Sequence, residues 1–416
     1  MSTEQQKKPE LLLPAGNYET MKIALAYGAD AVYLGGASFS LRAKADNFSL
    51  GEIRSAIGYA HGLRRKVYIT ANVFAHQADL LGVREFLEEL AGMEPDGILV
   101  ADPGVFSIAK EILGDIPIHI STQSNNTNHA TALFWHSLGA RRIVTARELS
   151  LAEIREIREK VPCDLELETF VHGAMCISYS GRCLLSSFFT GRDANQGACT
   201  HPCRWKYSLV EETRPGEYLP IEETEHGTYI MNSKDLCMVS HIPELIAAGI
   251  DSFKVEGRMK SALYVATTAR AYRQAIDDYF EDPALYEKRI PWYEQEVSSC
   301  TNRTFSTGFF YGIPSEEGMI YQASTYVAGA IYLGYVEEEV RMAGKTVYRM
   351  TQRNKFSVGD SIEIMRSTGE NFLVSVLQLL DEEGNMIEAV PHAKQVFYVD
   401  VGQKLFVYDI LRKRGR

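Results

Sequence analysis

The chain has 416 residues, a formal net charge of −11, 45% hydrophobic and 23% charged residues, and seven cysteines. Those proportions are ordinary for a globular protein, and a chain this long suits two or three domains with cores that need no disulfide staple. The acidity argues against broad nonspecific nucleic-acid binding, and the longest apolar runs are far shorter than a membrane span. The start, MSTEQQKKPE, lacks the apolar stretch of a secretory signal. The expectation is a cytoplasmic protein with no membrane contact and with its thiols reduced. In that compartment clustered cysteines point to a metal or to catalysis more than to disulfides.

Short apolar runs and amphipathic segments then alternate. ELLLPAG precedes NYETMKIALAYGAD and AVYLGG, and LGEIRSAIGYAHGLRR leads to KVYITANVF. LLGVREFLEELAGM leads to GILVADP, GVFSIAKEILG to IPIHISTQS, and NHATALFWHSLGA to RRIVTARE. SLAEIREIREKV leads to DLELETFVHG. Runs rich in Val and Ile fit parallel strands covered on both faces. The segments between them have helical spacing, as in Ile154, Ile157 and Val161. Ser150 with Glu153 predicts a capping box, and Pro162 ends that helix.

Seven strand candidates in strict alternation predict a (β/α)8-type barrel or an open doubly wound sheet. No G-x-G-x-x-G follows the first strand, so a dinucleotide fold is the weaker option. Polar residues gather at the ends of the runs, where a barrel places its active site: Asn72, Asp102, His119, Ser121, Gln123, Arg147, Glu148, Glu168 and His172. Singly, each has a structural reading. Their recurrence at one end of successive strands is harder to ascribe to solvation.

After His172 the alternation breaks. A Cys-rich insert spans residues 174–226, and TYIMNSKDL, MVSHIPELIAAG and DSFKVEGR then resume the pattern within a barrel domain covering 1–283. That makes nine candidates for eight barrel places, and TYIMNSKDL is expected to lie outside. Residues 284–325 read as an aromatic linker, and 326–416 as a small C-terminal β-barrel whose FSVGD turn, 356–360, enters a strand. The basic tail LRKRGR, 411–416, reads either as a solvated terminus or as a contact for nucleic acid.

Cys176, Cys183, Cys199 and Cys203 crowd one Gly- and Arg-rich stretch, with Cys237 just after NSKDL, while Cys163 and Cys300 sit in unrelated contexts. Only Cys199 and Cys203 have the paired spacing of a structural zinc site. An iron–sulfur cluster needs four thiolates, and uneven spacing is no obstacle if a scaffold gathers them. A nucleophilic thiol paired with His172 or His201 is the other chemical reading, and ordinary structural thiols the third.

ELLLPAGNYETMKIALAYGADAVYLGG, FVHGAMCISYSGRCLLS, NSKDLC and DSFKVEGRMKSALYVATTARAYR together resemble the collagenase-like peptidase family U-32, over about residues 10 to 275. The resemblance implies hydroxylation of a pyrimidine in tRNA or ribosomal RNA, or a part in ubiquinone hydroxylation, rather than evident proteolysis. Length and the SGRC…NQGAC…CRW pattern are most similar to members that make 5-hydroxyuridine at the tRNA wobble position. By motif position it implies a [4Fe–4S] cluster on Cys176, Cys183, Cys199 and Cys237, with a swap of Cys199 for Cys203 left open. It also implies tRNA as a partner, dependence on prephenate, and a related family member as a hetero-oligomer partner. The family's name keeps a peptidase as the alternative, although no H-E-x-x-H or G-x-S-x-G appears.

Within this frame the catalytic candidates are His172, Glu168, Lys254 and Glu256, and the substrate-binding candidates Arg258, Arg147 and Asn72. Arg258 in KVEGRMK ends the last strand, where a guanidinium clamps a carboxylate in two places and suits a dicarboxylate. The competing reading is a Lys254–Glu256–Arg258 ion-pair network that closes the barrel. Arg182, Arg192 and Arg204 flank the cysteines, facing either phosphates or the negative charge of a cluster.

Overall fold

The computed structural model describes residues 7–36, 47–176, 178–179, 183–194, 198–205, 208–209, 219–220, 234–300, 302–312, 329–342 and 344–414. Its first seven strands are β1 (Glu10–Pro14), β2 (Ala31–Gly35), β3 (Lys66–Ala71), β4 (Gly97–Val100), β5 (Ile118–Ile120), β6 (Arg142–Val144) and β7 (Glu166–Gly173). They pair in parallel in chain order, as runs of buried Leu, Val and Ile require. Two short strands in the insert, β8 (Ser208–Leu209) and β9 (Leu219–Pro220), pair only with each other, and β10 (Asp235–Cys237) follows. β11 (Ser252–Val255) pairs in parallel with both β7 and β1 and so closes an eight-stranded parallel barrel.

β10 lies outside that ring, as expected of NSKDLC: it runs antiparallel to the end of β7 and parallel to β12 (Phe305–Ser306). The part of TYIMNSKDL before Lys234 lies outside the described residues.

α1 (Tyr18–Ala26), α2 (Leu50–Gly62), α3 (Leu80–Ala91), α4 (Pro103–Ile112), α5 (His129–Ser137) and α6 (Leu151–Lys160) follow β1 to β6. Their starts are set by side chains that accept from orphan backbone N–H groups. Asn17, Asp102 and Asn128 act singly, while Ser49 with Glu52 and Ser150 with Glu153 form full capping boxes. Thus Asp102, one of the polar strand-end residues, caps α4. The insert contributes α7 (Leu185–Thr190); α8 (Ile242–Ala247) and α9 (Ala262–Glu281) flank β11.

The linker reading fails at its start, because 283–298 is a helix, α10 (Pro283–Ser298). Asp282 accepts from the Ala284 N–H, and Pro283 takes the first helical position, where a missing N–H costs nothing. α10 packs on α9 through Tyr286 and Tyr293, whose hydroxyl reaches Asp278 at 2.5 Å.

Among the described residues the C-terminal domain has nine strands: β13 (Ala330–Tyr335), β14 (Glu338–Met342), β15 (Lys345–Thr351), β16 (Ser361–Met365), β17 (Phe372–Ser375), β18 (Gln378–Leu380), β19 (Met386–Ile387), β20 (Val396–Asp400) and β21 (Ile410–Arg414). They form a four-stranded and a five-stranded antiparallel sheet around one core that includes Leu333, Phe356, Ile362, Phe397 and Leu411. The FSVGD turn enters β16 as expected, with the Ser357 N–H donating to Asp360 at 2.6 Å.

The described part of the tail is built into the C-terminal sheet, with Arg412 buried, Lys413 half-buried and Arg414 exposed. β21 lies between β13 and β16, and Arg412 is buried against Glu363 (2.7 Å) and Glu296 (3.1 Å). Arg414 pairs with Glu363 and Lys413 with Asp360; residues 415–416 lie outside the described residues. The Tyr27 hydroxyl, donating to the Met365 and Tyr408 carbonyls, ties α1 to this domain.

Candidate functional site

The C-terminal ends of the barrel strands carry a linked set of buried polar groups. From β3, the Thr70 hydroxyl accepts from Arg258 Nη1 at 3.1 Å, and Asn72 donates to Gln123 Oε1 at 2.6 Å. Ser121, just past β5, donates to the same oxygen at 3.0 Å, and Gln123 returns a bond to the Asn72 carbonyl. Asn126 donates to the Ser121 and Val144 carbonyls. Two of the predicted substrate-binding residues thus each hold a partner at this end of the barrel, Arg258 at Thr70 of β3 and Asn72, just past β3, at Gln123 beyond β5.

A close backbone approach holds this corner. A side chain at Gly16 would place its Cβ 2.1 Å from the Arg258 carbonyl oxygen, so only glycine lets the β1 and β11 loops touch. Gly173, at φ +115°, similarly lets the end of β7 pass against Glu256. The Glu256 carbonyl accepts from the Tyr264 hydroxyl, and the Glu256 N–H donates to His172 O.

Arg147, the third predicted binding residue, lies after β6. Its guanidinium sits 4.0 Å from the Phe170 ring centroid and donates to the Ala174 carbonyl at 2.8 Å. Arg147 Nε, Asn72 Oδ1 and Asn126 Oδ1 are buried and have no hydrogen-bond partner among the described residues. Buried polar atoms are nearly always satisfied, so these three mark where a ligand or water gains bonds that the chain itself does not supply.

Glu168 and Lys254 do not sit at this mouth. They lie deeper, joined to each other at 2.6 Å, and Glu168 also takes Arg142 at 2.8 Å. Arg142, at the start of β6, continues to Glu10 (2.7 Å) and Glu166 (2.6 Å), and the Tyr68 hydroxyl donates to Glu10 at 2.7 Å. Burial alone would raise the Glu10 carboxyl, but the charge and hydrogen bond of Arg142 bring it down to about 2. Burial lowers the Lys254 ammonium despite Glu168 beside it.

The ion-pair network that closes the barrel is therefore Glu10–Arg142–Glu168–Lys254. In it the expected Lys254 pairs with Glu168, and both are buried in the barrel core beside Arg142. His119 belongs to the same layer: it packs edge-on to Tyr68 at 4.8 Å between centroids, and burial holds it well below its ordinary pKa. Sequence reasoning missed Arg142 and Tyr68, because at the start of a strand such residues look like solvated edges.

His172 packs among Tyr264 and Tyr272 of α9 and Phe305 of β12. Burial, with the charge of Lys260, lowers it to about 3. Cys237 stands opposite it in the β7–β10 ladder, and burial raises that thiol to about 11. A cysteine nucleophile needs a lowered thiol pKa beside a base poised near neutrality. Both groups are shifted the opposite way, so the His172–thiol reading has no support at Cys237. The Tyr272 hydroxyl, which donates to the Val171 carbonyl, accepts from the Met238 N–H and lies 3.9 Å from Cys237 Sγ, fixing this corner.

The remaining thiols of the insert follow β7. Cys176 is exposed, and Cys183, Cys199 and Cys203 are half-buried; all seven cysteines are free. Cys199 Sγ accepts from the His201 N–H at 3.4 Å. Thiols are the donors an iron–sulfur cluster needs. Among the described residues, however, no three Cys, His, Asp or Glu side chains converge to hold a metal ion. Arg192 is half-buried, and Arg182 and the Arg204 side chain lie outside the described residues.

Volume alone does not mark the chemistry. A cavity of about 750 Å³ lies between α9, α10 and the C-terminal sheets, and another of about 520 Å³ lies under the barrel around Lys66 and Arg142. Their walls carry many charged residues, among them Arg412 with Glu363 in the first and Arg142 with Glu10 in the second. No described helix is long and apolar enough to cross a membrane.

Residues 16–320 match the model of peptidase family U32, and residues 330–412 match that of the peptidase family U32 C-terminal domain. The chain is 40% identical to "tRNA hydroxylation protein P1" of Bacillus subtilis, covering 98% of this chain and 95% of that protein. It is 37% identical to "tRNA hydroxylation protein P" of Escherichia coli, over 96% of this chain and 95% of that one. It is 35% identical to the E. coli "23S rRNA 5-hydroxycytidine C2501 synthase" over 67% of this chain and 41% of that protein. With both of its domains matched, the chain belongs to peptidase family U32.

Proposed function

We propose that this protein is an RNA-modifying enzyme that takes part in hydroxylating tRNA, forming 5-hydroxyuridine at the wobble position. The observation that carries the reading is the likeness to proteins named for tRNA hydroxylation along almost the whole chain, barrel and C-terminal domain together. The site is compatible with it. A barrel mouth with inward-facing polar groups that lack partners is built to orient a polar ligand.

Replacing C5–H of uridine by C5–OH inserts one oxygen atom and removes two electrons from the base. The reaction therefore takes a two-electron oxidant as the source of that oxygen, a role separate from that of the carboxylate ligand. Arg258, fixed by Thr70, and Arg147, fixed against Phe170, are assigned to bind and orient a carboxylate-bearing co-substrate of the prephenate kind. Asn72 and Gln123 hold the wall of the same mouth.

Cys176, Cys183, Cys199 and Cys237 are assigned as the thiolates of a [4Fe–4S] cluster. Three lie on the segment leaving β7, and the fourth lies on the strand paired with β7. Such a cluster supplies one-electron chemistry when bound. The test is genetic. Deleting the gene removes 5-hydroxyuridine from bulk tRNA, the wild-type gene restores it, and a Cys183→Ala gene does not. Unchanged nucleosides in the deletion strain, with no second gene of the family present, refute the proposal and return the weight to a hydrolase.

A further inference from the structure

The short helix α7 is inverted. Its buried side is polar: the Ser186 hydroxyl lies 3.0 Å from the Thr200 hydroxyl and accepts from the Thr200 N–H. Thr190 donates to the Ser186 carbonyl at 2.7 Å and lies 3.3 Å from the Thr200 hydroxyl. Its outer side is apolar. Leu184 and Phe188, one turn apart, are 68% and 81% exposed.

Phe189 meets Phe188 edge-on at 5.1 Å and Trp205 at 6.2 Å, and both of these rings are also exposed. A surface helix of a globular protein normally turns its apolar stripe inward. Here bonds between small hydroxyl side chains hold the polar side in, which pushes large rings outward. A rigid exposed apolar patch of this kind marks a contact surface.

We infer that Phe188, Phe189 and Trp205 form a stacking platform for unpaired nucleobases of an RNA loop. The inference rests on the RNA reading of the site and adds to it where the loop is held. The patch is made of aromatic rings, on which unpaired bases stack without sequence readout. The sequence around the patch is basic: residues 178–207 contain Arg182, Arg192, Arg204 and Lys206 against the single acid Asp193, in a chain of net charge −11. The segment that carries α7 leaves β7 at the end of the barrel where Asn72 Oδ1, Asn126 Oδ1 and Arg147 Nε are left without partners among the described residues.

The test measures binding of the full-length protein to a short RNA stem–loop with uridines in its unpaired loop, and to a fully paired duplex of the same stem. Of the three tryptophans, Trp135 is buried and Trp205 is exposed, so loop binding quenches Trp205 emission and Trp205→Phe removes that signal. Phe188→Ala weakens stem–loop binding by roughly 5- to 100-fold with little change for the duplex, the loss expected for one stacked base. Phe188→Tyr keeps wild-type affinity, while Phe188→Leu, which keeps apolar area without a ring, stays weak.

Equal rescue by Leu and Tyr, or a variant that loses self-association while keeping RNA affinity, overturns the platform in favour of a protein contact. Unchanged affinity of Phe188→Ala, in a protein whose gene still restores 5-hydroxyuridine, also overturns it and leaves the hydroxylation reading standing. A deletion strain with unchanged nucleosides removes both.

Discussion

Arg412 offers the sharpest test of how the two domains are held together. It is buried, with Nε 2.7 Å from Glu363, Nη2 3.1 Å from Glu296, and Nη1 3.1 Å from the Ser299 hydroxyl. Arg412→Met fills most of the same volume and removes the charge from between two buried carboxylates. Breaking a buried pair on one side costs about 3–5 kcal/mol, because the partner is left in low dielectric without compensation. Here Glu363 keeps Arg414 at 2.8 Å and Glu296 keeps Arg270 at 3.5 Å, which places the expected loss near the lower end, about 3 kcal/mol. Against a total stability of about 5–15 kcal/mol this is a large fraction. Urea unfolding followed through Trp292, over whose ring Arg270 stands at 5.2 Å, reads the change directly. Adding Glu363→Gln to Arg412→Met should recover part of the loss, since it removes one stranded charge. A midpoint for Arg412→Met within about 0.5 kcal/mol of wild type refutes the argument, because that is the scatter of surface substitutions away from such networks.

Other outcomes are equally definite. Cys176→Ala, Cys183→Ala, Cys199→Ala and Cys237→Ala should each lose iron from anaerobically purified protein, while exposed Cys163→Ala and buried Cys300→Ala keep it; full iron in any of the first four removes that residue from the ligand set. Arg258→Ala should lower activity at least about 10-fold with iron content and unfolding midpoint near wild type, because it loses a charge-assisted clamp; a collapse of the midpoint instead makes Arg258 structural. Stability should fall as pH drops below 6.5, the ordinary value of His119. There the unfolded chain takes up a proton that the buried imidazole refuses, at up to about 1.4 kcal/mol per pH unit for one such group. His119→Gln should reduce that slope by about one group's share in urea midpoints measured between about pH 7 and pH 5, leaving the share of buried His172, which is also lowered. The contribution of Glu10, held at about 2 against its ordinary 4.5, is present above 4.5 and is lost only as the pH falls from there toward 2.

Most of the barrel was legible because its strands are buried on both faces and therefore appear as unbroken apolar runs between capped helices. The exclusion of one strand candidate followed from counting alone, since a ring of eight has no ninth place. One miss was set by distant partners: the burial of Arg412 in LRKRGR depends on Glu363 and Glu296, which reach it from 49 and 116 residues away. α10 was hidden by its aromatic content and by Pro291 inside it. The Asp282–Pro283 pair, a capping residue followed by proline at the first helical position, was the available signal.

The site divides along the same line. Sequence position locates the end of a strand, but the height of a side chain inside a barrel depends on register. β6 pairs Arg142 with Glu166 and Val144 with Glu168, so Glu168 sits one layer below the mouth, within reach of Arg142 and Lys254. Once those charges satisfy one another, they can no longer serve a ligand without giving up a buried partner. The groups left with unmet bonds, Asn72 Oδ1, Asn126 Oδ1 and Arg147 Nε, all come from residues beyond the ends of β3, β5 and β6. Those three atoms gain bonds only when a ligand or water arrives, and that gain is the ground for proposing recognition at the mouth, at the end of the barrel from which the thiol-bearing segment leaves β7.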